Sequence, residues 1–448
     1  MKVIIVGADA IGAHLAALFS KIKQDIIIID EDESKLERIS TNCDLLTIKS
    51  SPNTPIKSFR DAGVKNTDLF ISVTRDENLN ISLCVLAKSM GAKRTIARVE
   101  NSEFTDPHIT DAFERAGISS IIYPDDLAAQ DIIAGLEESW VSQRWNVHNG
   151  ALTMLGIRLK APYDIINKPL KEVCKPGTPY HVVAIKRGGS TIIPTGDDML
   201  LDNDYVYFMT TKEFINDLRK IVGKEQYPDV KNIIIVGGGK TAVRVVNQLP
   251  RSMKAKIFET STARCEELNS IIDTSRVMVI NADGRSMNNL LEENVKHTQA
   301  LVALTGNAEA NILTCMTAQE LGVSKTIAMI ENMDYMNIAG NADIGTVINK
   351  QALTASYIYQ LLLDGDVRNI RNLLMVNADV AEFKAREGSR ITSKRVCELN
   401  LSQSVELGGL VRNGVGMLIN GSTQIQPGDD VVVFCQDTNI SQIEKYFI

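Results

Sequence analysis

Residues 4–12 read IIVGADAIG, an apolar run that enters a turn with glycines at positions 7 and 12. A dinucleotide-binding turn has the form Gly-x-Gly-x-x-Gly between a strand and a helix. Gly7 and Gly12 fill the outer positions, and Asp9 stands in the middle one. The middle glycine normally lets the backbone approach a phosphate. Asp9 therefore puts a side chain and a negative charge where a phosphate is expected. The stretch predicts a strand, a tight turn and a helix opening a Rossmann-like sheet, and it raises the question of what that turn holds.

The same design recurs. Residues 233–242, IIIVGGGKTA, replay residues 3–12, VIIVGADAIG, 230 positions later. Residues 301–315 replay 70–84, and 322–332 replay 91–101, both at an offset of 231. Residues 353–363 answer 127–137 at an offset of 226. Order and spacing are kept over most of each half, so the chain reads as an internal duplication.

Each half begins with alternating β-rich and helical runs. In the first copy strands are expected over 2–6, 26–30, 45–48, 69–73, 95–99 and 120–123, with helices over 12–20, 34–39 and 78–89. Such alternation builds a parallel sheet covered on both faces. An amphipathic run over 126–141 follows, with Leu127, Ile132, Ile133, Leu136 and Trp140 at helical spacing. It reads as a linker or dimer helix, or as an ordinary packing helix. Each half ends in short strands, over 152–159, 180–186, 191–194 and 205–208, then over 372–376, 411 with 417–419, and 431–434. The turn clusters KRGGS (186–190), LDND (201–204) and QPGDD (426–430) fit hairpins.

The expected class is thus α/β, with two tandem Rossmann-like, doubly wound parallel sheets, each followed by a small α+β module. The expected divisions are a Rossmann domain over 1–123, a crossover helix over 124–141 and a small module over 142–226. A second Rossmann domain follows over 230–348, then a crossover helix over 349–367 and a second module over 368–448.

The 448 residues carry a net charge of −7, which argues against a general nucleic-acid binder. No apolar run approaches the roughly 20 residues of a membrane-spanning helix. A strand begins at Lys2 or Val3, which leaves no room for a signal peptide, so a cytoplasmic chain is expected. The seven cysteines form no Cys-x-x-Cys pair and the five histidines show no metal-ligand spacing. Neither a disulfide scaffold nor a zinc site is expected.

A nucleotide site on such a sheet has four parts. The first is the glycine turn at a helix N-terminus, where free N–H groups and the helix dipole favour phosphate. The second is an acid ending the second strand, for the ribose hydroxyls. Asp30 and Glu259 supply it, and an acid there disfavours a 2′-phosphate. The third is a polar turn after the fourth strand, Val73-Thr74 in one copy and Leu304-Thr305 in the other. The fourth lies near the end of the fifth strand, where the first copy has Arg98, suited to phosphate, and the second has Met329. Both copies are expected to bind nucleotide, with different preferences. GGGKT is not a Walker A loop, because the glycine that motif needs five positions before Gly239 is Ile234. No catalytic centre is expected either. His148 and His181 lie in the first small module, while the second has no histidine. Doubled pockets without doubled chemistry suggest sensing, in which a ligand shifts a conformational balance.

Beyond the glycines, SVTRDENLNISL (72–83), RTIARVEN (94–101), VVAIKRGG (182–189), IIPTGDDMLLDNDYVYF (192–208), ALTGNAEANI (303–312) and IQPGDDVVVF (425–434) carry a family resemblance. Over essentially its whole length the chain resembles tandem RCK (KTN) domains, in the arrangement of the TrkA family of peripheral subunits of Trk potassium uptake systems. The resemblance implies a regulatory subunit that is not an enzyme, cytoplasmic and peripheral on the inner face of the cell membrane. It implies a homo-oligomeric gating ring, expected to be a tetramer, beneath a potassium-translocating membrane subunit of the TrkH or TrkG type. The implied ligands are NAD or NADH and ATP or ADP. The implied first site is Gly7, Ala8, Asp9, Ala10, Ile11, Asp30, Val73, Thr74 and Arg98. The implied second site is Gly237, Gly238, Gly239, Lys240, Thr241, Glu259 and Thr305. Two rival readings are an NAD-dependent oxidoreductase and an assembly scaffold whose pockets have decayed, the latter motivated by Asp9.

Overall fold

The computed structural model describes residues 1–21, 24–175, 177–332, 334–362, 367–373, 378–402, 404–436 and 443–448. The chain forms two compact units, residues 1–127 with 350–364 and residues 128–349 with 365–448.

The first unit is built on six parallel strands: β1 Lys2–Val6, β2 Asp25–Asp30, β3 Leu46–Lys49, β4 Leu69–Ser72, β5 Arg94–Arg98 and β6 Ser120–Ile122. Their order is β3-β2-β1-β4-β5-β6. Val3, Ile5, Ile28 and Ile71 are fully buried, as expected of central strands covered on both faces. Helices Ala10–Lys21, Glu33–Asn42 and Glu77–Ser89 supply the cover. The last two begin at Asp32 and Asp76, whose carboxylates accept from the first free N–H groups. Strand order reverses between β1 and β4, so a crevice opens at their C-terminal ends, the usual ligand position on such a sheet.

The second unit holds three sheets. The first small sheet contains β7 Gln143–Val147, β8 Leu152–Arg158, β9 Tyr180–Arg187, β10 Ser190–Ile192 and β11 Tyr205–Thr210, in the order β10-β9-β11-β8-β7. The second Rossmann sheet contains β12 Asn232–Val236, β13 Lys254–Glu259, β14 Val277–Asn281, β15 Ala300–Ala303, β16 Lys325–Met329 and β17 Thr346–Ile348, in the order β14-β13-β12-β15-β16-β17. The second small sheet contains β18 Val367–Leu373, β19 Ala378–Lys384, β20 Val405–Arg412, β21 Val415–Leu418 and β22 Asp430–Gln436, in the order β18-β19-β22-β20-β21.

The two small sheets share one core, in which Met154, Val183 and Tyr207 meet Val380, Val432 and Phe434. His181 Nε2 lies 2.7 Å from Glu406 Oε1 across this junction. These two residues are repeat mates, 225 positions apart. The same offset carries the Arg187–Asp204 pair onto the Arg412–Asp429 pair, both closed by two short hydrogen bonds. Contact between repeat mates is the signature of an isologous interface, here made within one chain.

The two crossover helices exchange places. From Ala128 onward, helix Pro124–Glu137 belongs to the second unit. A Cβ on its Gly135 would lie 3.4 Å from Ile327 Cδ1 of β16, so a larger residue would press on the sheet. Helix Lys350–Leu362 belongs to the first unit. There Tyr359 packs its ring 5.6 Å from that of Phe19, Arg94 donates to the Leu361 carbonyl, and Lys350 Nζ sits 3.1 Å from Asp125. Of the readings for residues 126–141, packing is the one observed, but against the Rossmann sheet of the other copy. Periodicity reports that one face is apolar, not what covers it.

Several local expectations are corrected. The first crossover helix ends at Glu137, not 141, because Trp140 is buried in the core of the first small sheet. Strand β7 was not expected, since QRWNV shows no clean alternation and its first four residues stay partly exposed at a sheet edge. Strand β19 was also not expected. Asp379 and Glu382 interrupt its apolar pattern, yet Glu382 is fully buried. The strand expected over 372–376 gives way to Val367–Leu373, and residues 374–376 lie outside the described residues. The strand expected over 191–194 stops at Ile192, before Pro194, whose missing N–H cannot extend a ladder. Among the described residues, no helix is long and apolar enough to cross a membrane.

Candidate functional site

The crevice of each Rossmann sheet is shaped by a glycine that no other residue can replace without movement. Gly7 and Gly237 have φ of 105° and 103°, in the region that favours glycine. A Cβ on Gly7 would lie 2.9 Å from the Thr74 nitrogen, and one on Gly237 would lie 2.9 Å from the Leu304 oxygen. The first turn thus packs directly on the turn after the fourth strand. A Cβ on Gly12 would lie 1.9 Å from the Gly7 oxygen, so helix and strand approach closely there as well.

The acid ending the second strand latches the glycine turn in both copies. Asp30 Oδ2 accepts from Ala8 N at 2.6 Å and Oδ1 from Asp32 N at 2.9 Å. Glu259 Oε2 accepts from Gly238 N at 2.9 Å and Oε1 from Ser261 N at 2.8 Å. Burial opposes ionisation of Glu259, but the Ser261 and Gly238 N–H groups outweigh it and hold the carboxyl below the usual range. Two carboxylate oxygens offer about four lone-pair sites, so capacity remains for ribose hydroxyls.

The fourth-strand turn is braced by a residue absent from the sequence-based site. Asn80 is fully buried. Its Oδ1 accepts from Thr74 N at 2.9 Å and Thr74 Oγ1 at 2.7 Å, and its Nδ2 donates to the carbonyls of Thr74 and Arg98 at 3.0 and 2.9 Å. Asn311 repeats every one of these bonds, with Thr305 and Met329 as partners. The two asparagines lie 231 apart, so the repeat itself carried the signal. Alanine at Asn311 is expected to cost about 2 kcal/mol, since it leaves the buried Met329 carbonyl and the partly buried Thr305 N–H without this partner. Denaturant unfolding of the variant checks this, and unchanged stability would show that the brace carries no weight.

The copies differ at the phosphate end. Asp9 receives Lys35 Nζ at 2.7 Å and Arg75 Nε at 2.8 Å. Burial works against the charge on Asp9, yet Lys35 and then Arg75 prevail and hold its carboxyl below the usual range. Gly239 stands at the corresponding place, Gly306 replaces Arg75, and Arg264 replaces Lys35. Arg264 Nε donates instead to the Gly238 carbonyl at 2.8 Å. The acid and Arg75 are therefore present together or absent together, so these three positions sum to one positive charge in both copies, and Lys240 adds a further cation in the second where the first has Ala10.

The second crevice is a cavity of about 540 Å³, lined by Gly237–Gly239, Glu259, Thr305, Asn307 and, unforeseen from the sequence, Asp283 and Arg285. Lys240 and Thr241 open helix Lys240–Gln248 beside it rather than line it, and Thr241 is buried. In the first copy Ala8, Ile11 and Val73 are buried behind the turn, and Ala10 begins helix Ala10–Lys21. Arg98 donates to Glu100 Oε1 at 2.6 Å, so a phosphate there would compete with a carboxylate.

Domain families and relatives agree with this architecture. The TrkA-N domain matches residues 3–124 and 233–350, and the TrkA-C domain matches residues 154–223 and 380–448. A Trk system potassium uptake protein TrkA from Halomonas elongata is 26% identical over 456 residues, covering 100% of this chain and 98% of the relative. A TrkA homolog from Archaeoglobus fulgidus is 27% identical over 448 residues, covering 100% of both. Among solved structures, the GsuK RCK domain has a TM-score of 0.59 at 14% identity, covering 100% of this chain and 94% of that one. The GsuK channel bound to NAD gives 0.59 at 13% identity, covering 100% and 78%. With its two TrkA-N and two TrkA-C domains in alternation along a single duplicated chain, the protein belongs to the TrkA family.

Proposed function

We propose that this protein is a nucleotide-sensing regulatory subunit of a potassium uptake system, working without turnover. The carrying observation is the second crevice, where a glycine turn at a helix N-terminus and the acid latched to it together line a cavity of about 540 Å³. Phosphates meet the turn at Gly239 and the positive end of helix Lys240–Gln248, and Glu259 receives the ribose hydroxyls. NAD or NADH fits this arrangement. The GsuK channel bound to NAD, which shares the fold, supports that choice. In the first crevice Gly7–Ile11, Asp30, Thr74 and Arg98 take a nucleotide with a different phosphate environment, ATP or ADP among them. Relatives named as Trk system potassium uptake proteins support a role in potassium uptake. The partner in this reading is a potassium-translocating membrane subunit of the TrkH or TrkG type, which the chain joins from the cytoplasm in a ring of four. Ligands gate the partner to the extent that they bind its two regulatory conformations unequally.

Calorimetric titration of the full chain with NAD, NADH, ATP and ADP tests the reading. Two classes of site are expected, one of them lost in Arg98→Ala. No binding to folded chain would hand the case to the scaffold reading.

A further inference from the structure

The junction of the two small sheets holds a group of side chains that the nucleotide reading does not use. Glu382 on β19 is fully buried, and Asp430 at the start of β22 is 6% exposed. The two strands pair with Lys384 opposite Asp430 and Glu382 opposite Val432, which places both carboxylates on one face of the sheet. His148, from the loop after β7 of the first small sheet, comes down on them. Its Nδ1 lies 2.9 Å from Glu382 Oε1 and 3.6 Å from Asp430 Oδ2. One donor atom from each residue lies within 4.8 Å of the other two.

We propose that His148, Glu382 and Asp430 bind one divalent transition-metal ion of the zinc type, which ties the two small modules together. His148 brings an imidazole nitrogen to two buried carboxylates, and a cation held by all three groups offsets the cost of burying that charge. One imidazole nitrogen with two carboxylate oxygens suits zinc and its neighbours rather than magnesium or calcium, which favour all-oxygen sites. Bonds of about 2.0–2.2 Å at a tetrahedral angle separate ligand atoms by roughly 3.4 Å, so the pair at 3.6 Å already fits. The remaining spacings adjust by rotation of two short acidic side chains. Three protein ligands leave the fourth position to water.

The duplication separates this group from ordinary structural ion pairs. Arg187–Asp204 and Arg412–Asp429 are repeated in both modules and serve the fold of each. Glu382 and Asp430 are not repeated. Matching β8 to β19 and β11 to β22 puts Gly156 and Tyr205 in their places. The acidic face therefore belongs to one side of the junction alone, and it meets a histidine contributed by the other. Sequence spacing could not show this, because the three residues come from segments up to 282 positions apart.

The test uses the full chain stripped with chelator and dialysed against Zn²⁺, with Mg²⁺ as control. One zinc per chain and a raised unfolding midpoint are expected, with no such response to Mg²⁺. Glu382→Gln and His148→Gln should each weaken that site by more than the roughly 10- to 100-fold typical of losing an outer partner of a metal ligand. Variants that retain the wild-type zinc content and affinity overturn the proposal, as does wild type that takes up none. Co²⁺ substitution of wild type decides the matter if the variants fail to fold. Weak visible bands without thiolate charge transfer are expected, and an intense thiolate band would assign the ion to cysteine instead.

Discussion

Replacing Gly239 with Asp is expected to weaken nucleotide binding at the second site by roughly 10- to 100-fold, and adding Gly306→Arg is expected to recover most of the loss. The first substitution imports the acid that the first copy carries at position 9. The backbone tolerates it: a Cβ on Gly239 meets nothing within 4 Å, and φ there is −69°. The effect is therefore electrostatic, a carboxylate placed where a phosphate binds. Like unit charges 4 Å apart repel by about 4 kcal/mol at an effective dielectric of 20, and solvent at the open lip reduces that figure. Arg264 is already committed to the Gly238 carbonyl and so does less than Lys35 does for Asp9. Position 306 is equally open to a side chain, so arginine there supplies the cation that Arg75 gives the first copy. Calorimetric titration with NAD reads both steps, and the first site serves as an internal reference. If Gly239→Asp binds as wild type does, the phosphate does not sit against this turn. If Gly306→Arg restores nothing, the pairing of Asp9 with Arg75 is not the compensation inferred here.

The second large effect concerns Lys325, at the start of β16. It is 3% exposed, and its ammonium donates to the Val141 carbonyl and, at 2.9 Å, to Thr346 Oγ1. It faces a cavity of about 530 Å³ whose lining also includes Arg158, Lys224 and Asp343. Burial pushes its pKa down to about 7, with Glu138 opposing the shift. An unfolded lysine titrates near 10.4. Between these values the unfolded chain holds one proton more than the native chain, so native stability rises with pH at about 1.4 kcal/mol per unit. Below pH 7 both forms are protonated and this contribution is flat. Over pH 7 to 9.5 wild type should therefore gain about 3.5 kcal/mol relative to Lys325→Met, which has no such proton. Unfolding free energies of the two proteins across that range give the answer. Parallel curves would mean that the buried amine keeps its proton.

Much of the fold is legible in local sequence. Strands β1 and β2 are near-continuous Ile and Val runs, and such runs buried on both faces mark central parallel strands. Gly7 and Gly237 are legible because the turn demands a backbone conformation that other residues resist. The latching acids are legible because they end those same strands. The less regular elements are not. In β7 and β19 the side-chain pattern answers to neighbours outside the strand, Glu382 to His148 above all.

By itself, then, the sequence determined the duplication, the alternation of strand and helix, and the glycine turns with their acids. These follow from short-range sterics and from periodicity, which are properties of contiguous residues. Only the tertiary structure decided that the crossover helices trade sheets, that His181 meets its own repeat mate Glu406, and that Lys35 and Arg75 converge on Asp9. An apolar stripe or a charge specifies the kind of surface it needs and not the segment that supplies it. That choice is made by packing across hundreds of residues, where burial and charge pairing are satisfied together.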